Sequence, residues 1–149
     1  PYYGGILGPE NEYHRNTVPI EHEHKFTFAV VRNPYARVRS LWQFIQTFTV
    51  TKPCGEVTLE EFPWWMLENQ NEDTRWYSQV KFLSFSRMDR LLRFEELELG
   101  LRSLPFVKQW RPLSRYNSAS YIIAPMTDRY IAGVRLLERE TFQTFGYIV

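Results

Sequence analysis

The stretch Phe26-Thr-Phe-Ala-Val-Val-Arg-Asn-Pro-Tyr-Ala-Arg-Val-Arg-Ser40 decides the fold, because it joins a strand pattern directly to a helix pattern. Residues 26–31 are uncharged aromatic, β-branched and small side chains, which predicts a strand buried on both faces. Asn33 is a favoured N-cap, and Pro34 suits the first helical position, where its missing N–H would be unpaired anyway. The spacing therefore predicts a strand followed at once by a helix, as in an α/β sheet.

Two arginines and a serine lie around this junction. Arg32 ends the predicted strand, and Arg37 and Ser40 are three residues apart on the predicted helix. Ligands of open α/β sheets bind at the carboxyl ends of strands, and helix N-termini attract phosphate. The pattern predicts that the three side chains hold one phosphate, while the alternative of ordinary surface residues stays open on spacing alone.

The string Val31-Arg-Asn-Pro-Tyr-Ala-Arg-Val-Arg-Ser40 resembles the 3′-phosphate-binding motif of carbohydrate sulfotransferases, enzymes that use 3′-phosphoadenosine 5′-phosphosulfate (PAPS). The family motif is Arg-(Asp/Asn)-Pro-x-x-Arg-x-x-Ser, and its first Arg and its Ser hold the 3′-phosphate. The resemblance implies that Arg32 and Ser40 bind this phosphate and that Arg37 supports them. It also implies one α/β domain over residues 1–149, with a parallel sheet flanked by helices in a P-loop-like sulfotransferase fold.

Three later segments are similar to the same family, in the same order along the chain. Met88–Leu97 looks like the family's second strand followed by a Phe-Glu-x-Leu helix start. Pro112–Ser118 is similar to a loop with an Asn-Ser pair, and Thr127–Tyr147 looks like closing helices that end in Phe-Gly-Tyr. The resemblance implies transfer of a sulfuryl group from PAPS to a hydroxyl of a carbohydrate or related acceptor, without a metal ion.

One family feature has no counterpart in this sequence. The family opens with a strand and a Lys- and Ser/Thr-containing loop that binds the 5′-phosphosulfate, whereas Gly4–Gly8 carries no Lys and is typical of a plain loop. We therefore expect a fragment that begins downstream of that loop. The same feature favours a second hypothesis, a non-catalytic module that binds a nucleotide or a sulfated glycan. A nucleotide kinase is disfavoured, since no P-loop is present to hold the phosphates.

Sulfuryl transfer needs a base for the acceptor hydroxyl and positive charge near the leaving phosphate. His14 is the predicted base, because the resemblance places a histidine at about this position; an ordinary surface histidine is the alternative. His22 and His24 lie in an alternating charged stretch typical of a solvated edge. Alternation would put both on one face of a strand, as a metal site requires, but no third ligand is identifiable.

Composition narrows the class of protein. The formal net charge of +1 gives no electrostatic reason to expect a nucleic acid partner, and 149 residues suit one domain. The single cysteine, Cys54, fits a reducing compartment, which favours a cytoplasmic location. No apolar run is long enough to span a membrane and no signal peptide is recognisable, although an anchor upstream of Pro1 stays open. The sequence does not indicate the oligomeric state.

Further patterns predict the remaining elements. Thr58-Leu-Glu-Glu61 forms a capping box, which predicts a helix that begins at Thr58. Trp64 and Trp65 suit either stacking on a sugar ring or, more often, core packing. Residues 72–83 favour a further helix, and residues 85–94 carry the second strand. The last predicted helix places Tyr130, Val134 and Leu137 on one apolar stripe.

Overall fold

The computed structural model describes residues 24–48, 54–70, 76–83, 88–112 and 125–149. These residues form two β-strands and six α-helices, which confirms the α/β class. In chain order the elements are β1 (Phe28–Val31), α1 (Pro34–Phe48), α2 (Phe62–Glu68), α3 (Gln79–Leu83), β2 (Arg90–Arg93), a 3₁₀ turn (Phe94–Glu96), α4 (Leu97–Arg102), α5 (Asp128–Leu137) and α6 (Arg139–Phe145).

The two strands pair in parallel, as predicted. Phe28 lies opposite Arg90, and the register continues to Val31 opposite Arg93. The prediction that β1 is buried on both faces is wrong for one of them: Val31 is fully buried, whereas Phe28 and Val30 are 41% and 40% exposed. A parallel strand is buried on both sides only where helices cover both faces of the sheet, and the described helices leave the face of Phe28 and Val30 partly open.

Helix α1 begins where the sequence predicts. The Asn33 side-chain oxygen accepts a hydrogen bond from the Ala36 N–H at 3.3 Å, which is N-cap geometry, and Pro34 is the first helical residue. The helix buries the stripe expected from its spacing, because Val38 and Ile45 are inaccessible and neighbouring apolar residues pack beside them. The junction of strand and helix is therefore set by local sequence.

The hydrophobic core lies among the helices. Helix α5 contributes Tyr130 and Val134, as its stripe predicts, and these side chains join Phe62 of α2 and the buried Trp76 in one cluster. Trp65 stacks on Phe62, with ring centroids 5.9 Å apart, and meets Trp76 edge-on at 5.0 Å. The packing interpretation of Trp65 is thus confirmed, and aromatic burial of this kind supplies much of a small domain's stability.

Two predicted helix starts differ from the structure. Helix α2 begins at Phe62, four residues after Thr58, because the Thr58 carbonyl accepts the N–H groups of Glu61 and Phe62 and closes a separate turn. The Thr58 hydroxyl bonds the Glu61 carboxylate at 2.8 Å. In residues 72–83, the described helix is limited to Gln79–Leu83.

Three predictions concern segments that lie outside the described residues: the glycine-rich Gly4–Gly8, most of the Pro112–Ser118 loop, and the histidines His14 and His22. Within the described part, no helix combines the length and apolar character needed to cross a bilayer. The described ranges also contain no cluster of three or more His, Cys, Asp or Glu residues placed to hold a metal ion.

Candidate functional site

A cavity of about 620 Å³ opens where β1 ends and α1 begins. All three residues predicted to hold a phosphate, Arg32, Arg37 and Ser40, line it. Its remaining wall is amide and apolar: Ala29, Val30, Leu41, Phe44, Gln79, Phe82 and Leu83. The structure thus brings the two arginines and the serine to one concave surface, which apolar side chains also line.

Two hydrogen bonds with Gln79 hold the backbone of Arg32, which lines the cavity. Its N–H donates to the Gln79 side-chain oxygen at 2.7 Å, and its carbonyl accepts from the Gln79 amide nitrogen at 2.8 Å. The guanidinium lies over the Phe94 ring, 4.6 Å from the ring centroid. A cation over an aromatic face is attracted by the ring quadrupole, and a planar guanidinium in this position still has N–H groups directed along its edges.

Arg37 has a structural partner as well as a place on the cavity wall. Its guanidinium donates to the Glu138 carboxylate at 2.5 Å and to the Tyr77 carbonyl at 2.8 Å. Glu138 is fully buried, so Arg37 compensates a carboxylate charge inside the protein. The contacts of Arg37 therefore support the shape of the site, whereas the guanidinium of Arg32 lies over the Phe94 ring.

Glu138 connects three elements around the cavity. Besides Arg37, its carboxylate accepts the Gln79 N–H at 3.0 Å and the Thr141 hydroxyl at 2.5 Å. The Thr141 hydroxyl in turn accepts the Val80 N–H at 3.4 Å. These hydrogen bonds satisfy the buried carboxylate and fix the beginning of α3 against the junction of α5 and α6.

Sequence reasoning did not identify Glu138 or Gln79. A signal for Glu138 was present, because it follows Tyr130 and Val134 at intervals of four and thus continues the buried stripe of α5. A carboxylate on a buried stripe requires a cationic or hydrogen-bonding partner. Gln79 has no comparable signal, since its partner Arg32 is 47 residues away.

A second polar connection joins the ends of the two strands to the carboxyl-terminal segment. The Glu95 carboxylate accepts the Asn33 N–H at 2.7 Å and the Tyr147 hydroxyl at 3.0 Å. Gly146, with a positive φ of 64°, ends α6 and turns the chain towards this contact. Burial raises the pKa of the Glu95 carboxyl, but these hydrogen bonds and the charge of Arg32 outweigh it and leave the pKa below its ordinary value.

Burial and the neighbouring carboxylate of Glu95 act in the other direction on Tyr147, whose pKa they raise above its ordinary value. The hydroxyl therefore stays protonated and donates a hydrogen bond to the Glu95 carboxylate. Three segments that are distant along the chain, at Arg32-Asn33, Phe94-Glu95 and Tyr147, thus meet at one place. Their contact is a structural observation that the sequence order alone did not establish.

The histidines add nothing to the described site. His24 lies in an exposed turn before β1, and His14 and His22 are outside the described residues. The assignment of His14 as the base stays a prediction.

Among known proteins, no family model, no curated protein and no solved structure matches this chain. The cavity and the residues that line it are therefore the features of this chain that bear on its function.

Proposed function

We propose that this chain is a sulfotransferase domain that transfers the sulfuryl group of PAPS to a hydroxyl of a carbohydrate or related acceptor. The observation that carries the proposal is the convergence of Arg32, Arg37 and Ser40 on one cavity at the carboxyl end of a parallel strand. This is the position at which α/β folds bind nucleotides. The finer assignment to a P-loop-like sulfotransferase fold belongs to the same proposal.

The polar residues Arg32, Arg37 and Ser40 that line the cavity have the chemistry of a phosphate site. A guanidinium binds phosphate oxygens through paired N–H groups, and a serine hydroxyl donates a further hydrogen bond. The amino-terminal end of α1 adds the positive end of a helix dipole beside Arg32. In the proposal Arg32 and Ser40 bind the 3′-phosphate of PAPS, and Arg37, held by Glu138, supports them.

The apolar residues that line the cavity suit a nucleoside. Phe44 and Phe82 line the same cavity as Arg32 and Ser40, together with Leu41 and Leu83. Flat, weakly polar groups such as a nucleobase bind in clefts with mostly apolar walls and a few placed polar groups. A ligand that joins an anion to a ring system could therefore use both the polar and the apolar residues of this lining.

In the proposed reaction, a base takes the proton of the acceptor hydroxyl while the oxygen attacks the sulfur of PAPS. The bond between the sulfur and the bridging phosphate oxygen breaks, and 3′-phosphoadenosine 5′-phosphate (PAP) leaves with the electron pair. His14 is the proposed base. Positive charge near the leaving phosphate stabilises the negative charge that develops on it.

The first test is calorimetric titration with PAP and, in parallel, with AMP, which lacks only the 3′-phosphate. We expect PAP to bind more tightly than AMP. Arg32→Ala should weaken PAP binding by about 10- to 100-fold, because a hydrogen bond to a charged group contributes roughly 1.5–3 kcal/mol. Ser40→Ala should weaken it by about 3- to 10-fold. Both should leave AMP binding unchanged.

The matched control is Arg139→Ala, which removes an exposed arginine of α6 away from the cavity lining. It should bind PAP as the unaltered chain does. Equal affinity for PAP and AMP in a folded chain would overturn the proposal. An assay of sulfuryl transfer from labelled PAPS to a panel of glycans then separates the enzyme from the non-catalytic binding module. A folded chain that binds PAP but transfers no label to any glycan is the non-catalytic module.

A further inference from the structure

Gln79 makes an unusual pair of contacts with the end of β1. It is the first residue of α3 and 7% exposed, and its side-chain amide bonds both backbone groups of Arg32, at 2.7 Å to the N–H and at 2.8 Å to the carbonyl. A side-chain amide that pairs with both groups of one residue does what one residue of an antiparallel neighbouring strand would do. The contact falls just past Val31, where the ladder with β2 ends.

Gln79 is itself fixed to the helical core. Its backbone N–H donates to the buried Glu138 carboxylate at 3.0 Å, and the Ser78 hydroxyl accepts the Lys81 N–H at 3.2 Å. Glu138 is in turn held by Arg37 at 2.5 Å. An unbroken series of hydrogen bonds therefore runs from the core carboxylate through Gln79 to the backbone of Arg32.

We propose that Gln79 is a positioning residue for the anion side of the cavity, which it serves by clamping the Arg32 backbone so that the guanidinium stays over Phe94 and on the cavity wall. This inference rests on the proposed function, because it takes the ligand of Arg32 to be the 3′-phosphate. Gln79 acts through Arg32 and not on the reacting atoms. Without the clamp, the residue after β1 gains backbone freedom, and binding must then supply the ordering of Arg32.

The competing interpretation is that Gln79 only satisfies two partly buried backbone groups. Loss of such hydrogen bonds lowers the stability of the fold whatever the ligand. It does not by itself change the preference for PAP over AMP, since both ligands share the nucleoside and the 5′-phosphate. The ratio of the two dissociation constants is therefore the measurement that separates positioning from plain structural support.

The test uses Gln79→Met, which keeps a similar volume and removes both hydrogen bonds to Arg32, with Gln143→Met on the exposed side of α6 as the matched control. Below the melting temperature, we expect Gln79→Met to weaken PAP binding by about 10-fold, because binding must then supply the ordering of Arg32. AMP binding should change less than about 2-fold. Gln143→Met should change neither constant, and an unaltered ratio in folded Gln79→Met would overturn the inference.

A measurement on the unaltered chain covers the case in which Gln79→Met does not fold. The Arg32 backbone amide and the Gln79 side-chain amide should shift in NMR spectra during titration with PAP, at the same dissociation constant, and should shift much less with AMP. Constant positions of both signals at saturation with PAP would contradict the inference. If the unaltered chain does not prefer PAP over AMP, the proposed function fails. If the unaltered chain prefers PAP and Arg32→Ala abolishes this preference, the proposed function stands. If Gln79→Met then keeps the preference, only the inference fails.

Discussion

The helical core and the two-stranded sheet treat similar apolar side chains in opposite ways. In the core, Tyr130 and Val134 are essentially inaccessible, whereas Phe28 and Val30 of β1 are about 40% exposed. A helix buries one stripe and is complete once a neighbouring helix covers it. A parallel strand carries apolar groups on both faces and needs cover on both. In the described part of the chain, the apolar stripe of α5 is thus covered by neighbouring helices, whereas one face of β1 is not fully covered.

The candidate site spans the border between these regions. Arg37 and Glu138 belong to the helical core, and Arg32 belongs to the end of the sheet, with Gln79 between them. A change in the core should therefore lower stability, whereas a change at the sheet should alter local properties with little global effect. The following predictions test this division, in order of decreasing effect.

Removal of the Glu138 carboxylate should have the largest effect on stability. Glu138→Ala leaves the Arg37 guanidinium without its buried counter-charge and the Gln79 N–H without its acceptor. Breaking a buried ion pair by deleting one partner costs about 3–5 kcal/mol of unfolding free energy. Urea unfolding followed by circular dichroism measures it. Glu140→Ala, an exposed neighbour in α6, is the control and should cost less than about 1 kcal/mol. Similar losses for both variants would contradict the assignment of Glu138 to the core.

Two helical glycines test the tightness of packing in the two regions. A Cβ atom on Gly133 of α5 would lie 2.8 Å from both the Pro63 ring and the Trp64 indole nitrogen, whereas on Gly100 of α4 it would lie 3.1 Å from the tip of Leu92. Alanine usually gains up to about 1 kcal/mol over glycine in a helix. Overpacking against a ring costs about 1–3 kcal/mol, but a leucine tip can move.

We therefore expect Gly133→Ala to destabilise the protein by about 1–2 kcal/mol and Gly100→Ala to be neutral or slightly stabilising. Thermal unfolding of the two variants side by side gives the comparison. The reverse order would mean that the sheet side, and not the contact of α2 with α5, is the tightly packed region.

Local sequence predicted the elements of this molecule better than it predicted their polar contacts. Asn33 and Pro34 set the start of α1 because capping and a restricted φ act within one turn. Because Arg32 directly precedes this helix, Arg37 and Ser40 line the same cavity as Arg32. The pair of Arg37 with Glu138 joins residues 101 positions apart, and no local pattern encodes such a partner.

The other two discrepancies with the structure have separate physical causes. The capping-box prediction at Thr58–Glu61 was wrong as a helix start, since the two side chains bond each other and the Thr58 carbonyl closes a separate turn. The exposed face of β1 was missed for a different reason. The composition of a strand indicates that both faces can be buried, but whether a helix covers each face depends on elements elsewhere in the chain.

The contact of Tyr147 with Glu95 should give the smallest effect, because Glu95 is exposed and Tyr147 is only partly buried. The pKa of Glu95 lies below its ordinary value in the folded state, so the contact stabilises the fold above the ordinary carboxyl pKa and loses this contribution as the pH falls through the lower folded value.

Tyr147→Phe removes a donor to the carboxylate and should raise the pKa of Glu95 towards the ordinary value. An NMR titration of the Glu95 side chain measures this shift, and Tyr77→Phe serves as the control that leaves it unchanged. The accompanying loss of stability near neutral pH should stay below about 1 kcal/mol, as for other exposed contacts. A titration of Glu95 that is the same with and without the Tyr147 hydroxyl would show that the strand ends are joined through the Asn33 N–H alone, and the carboxyl-terminal segment would then not belong to this side of the site.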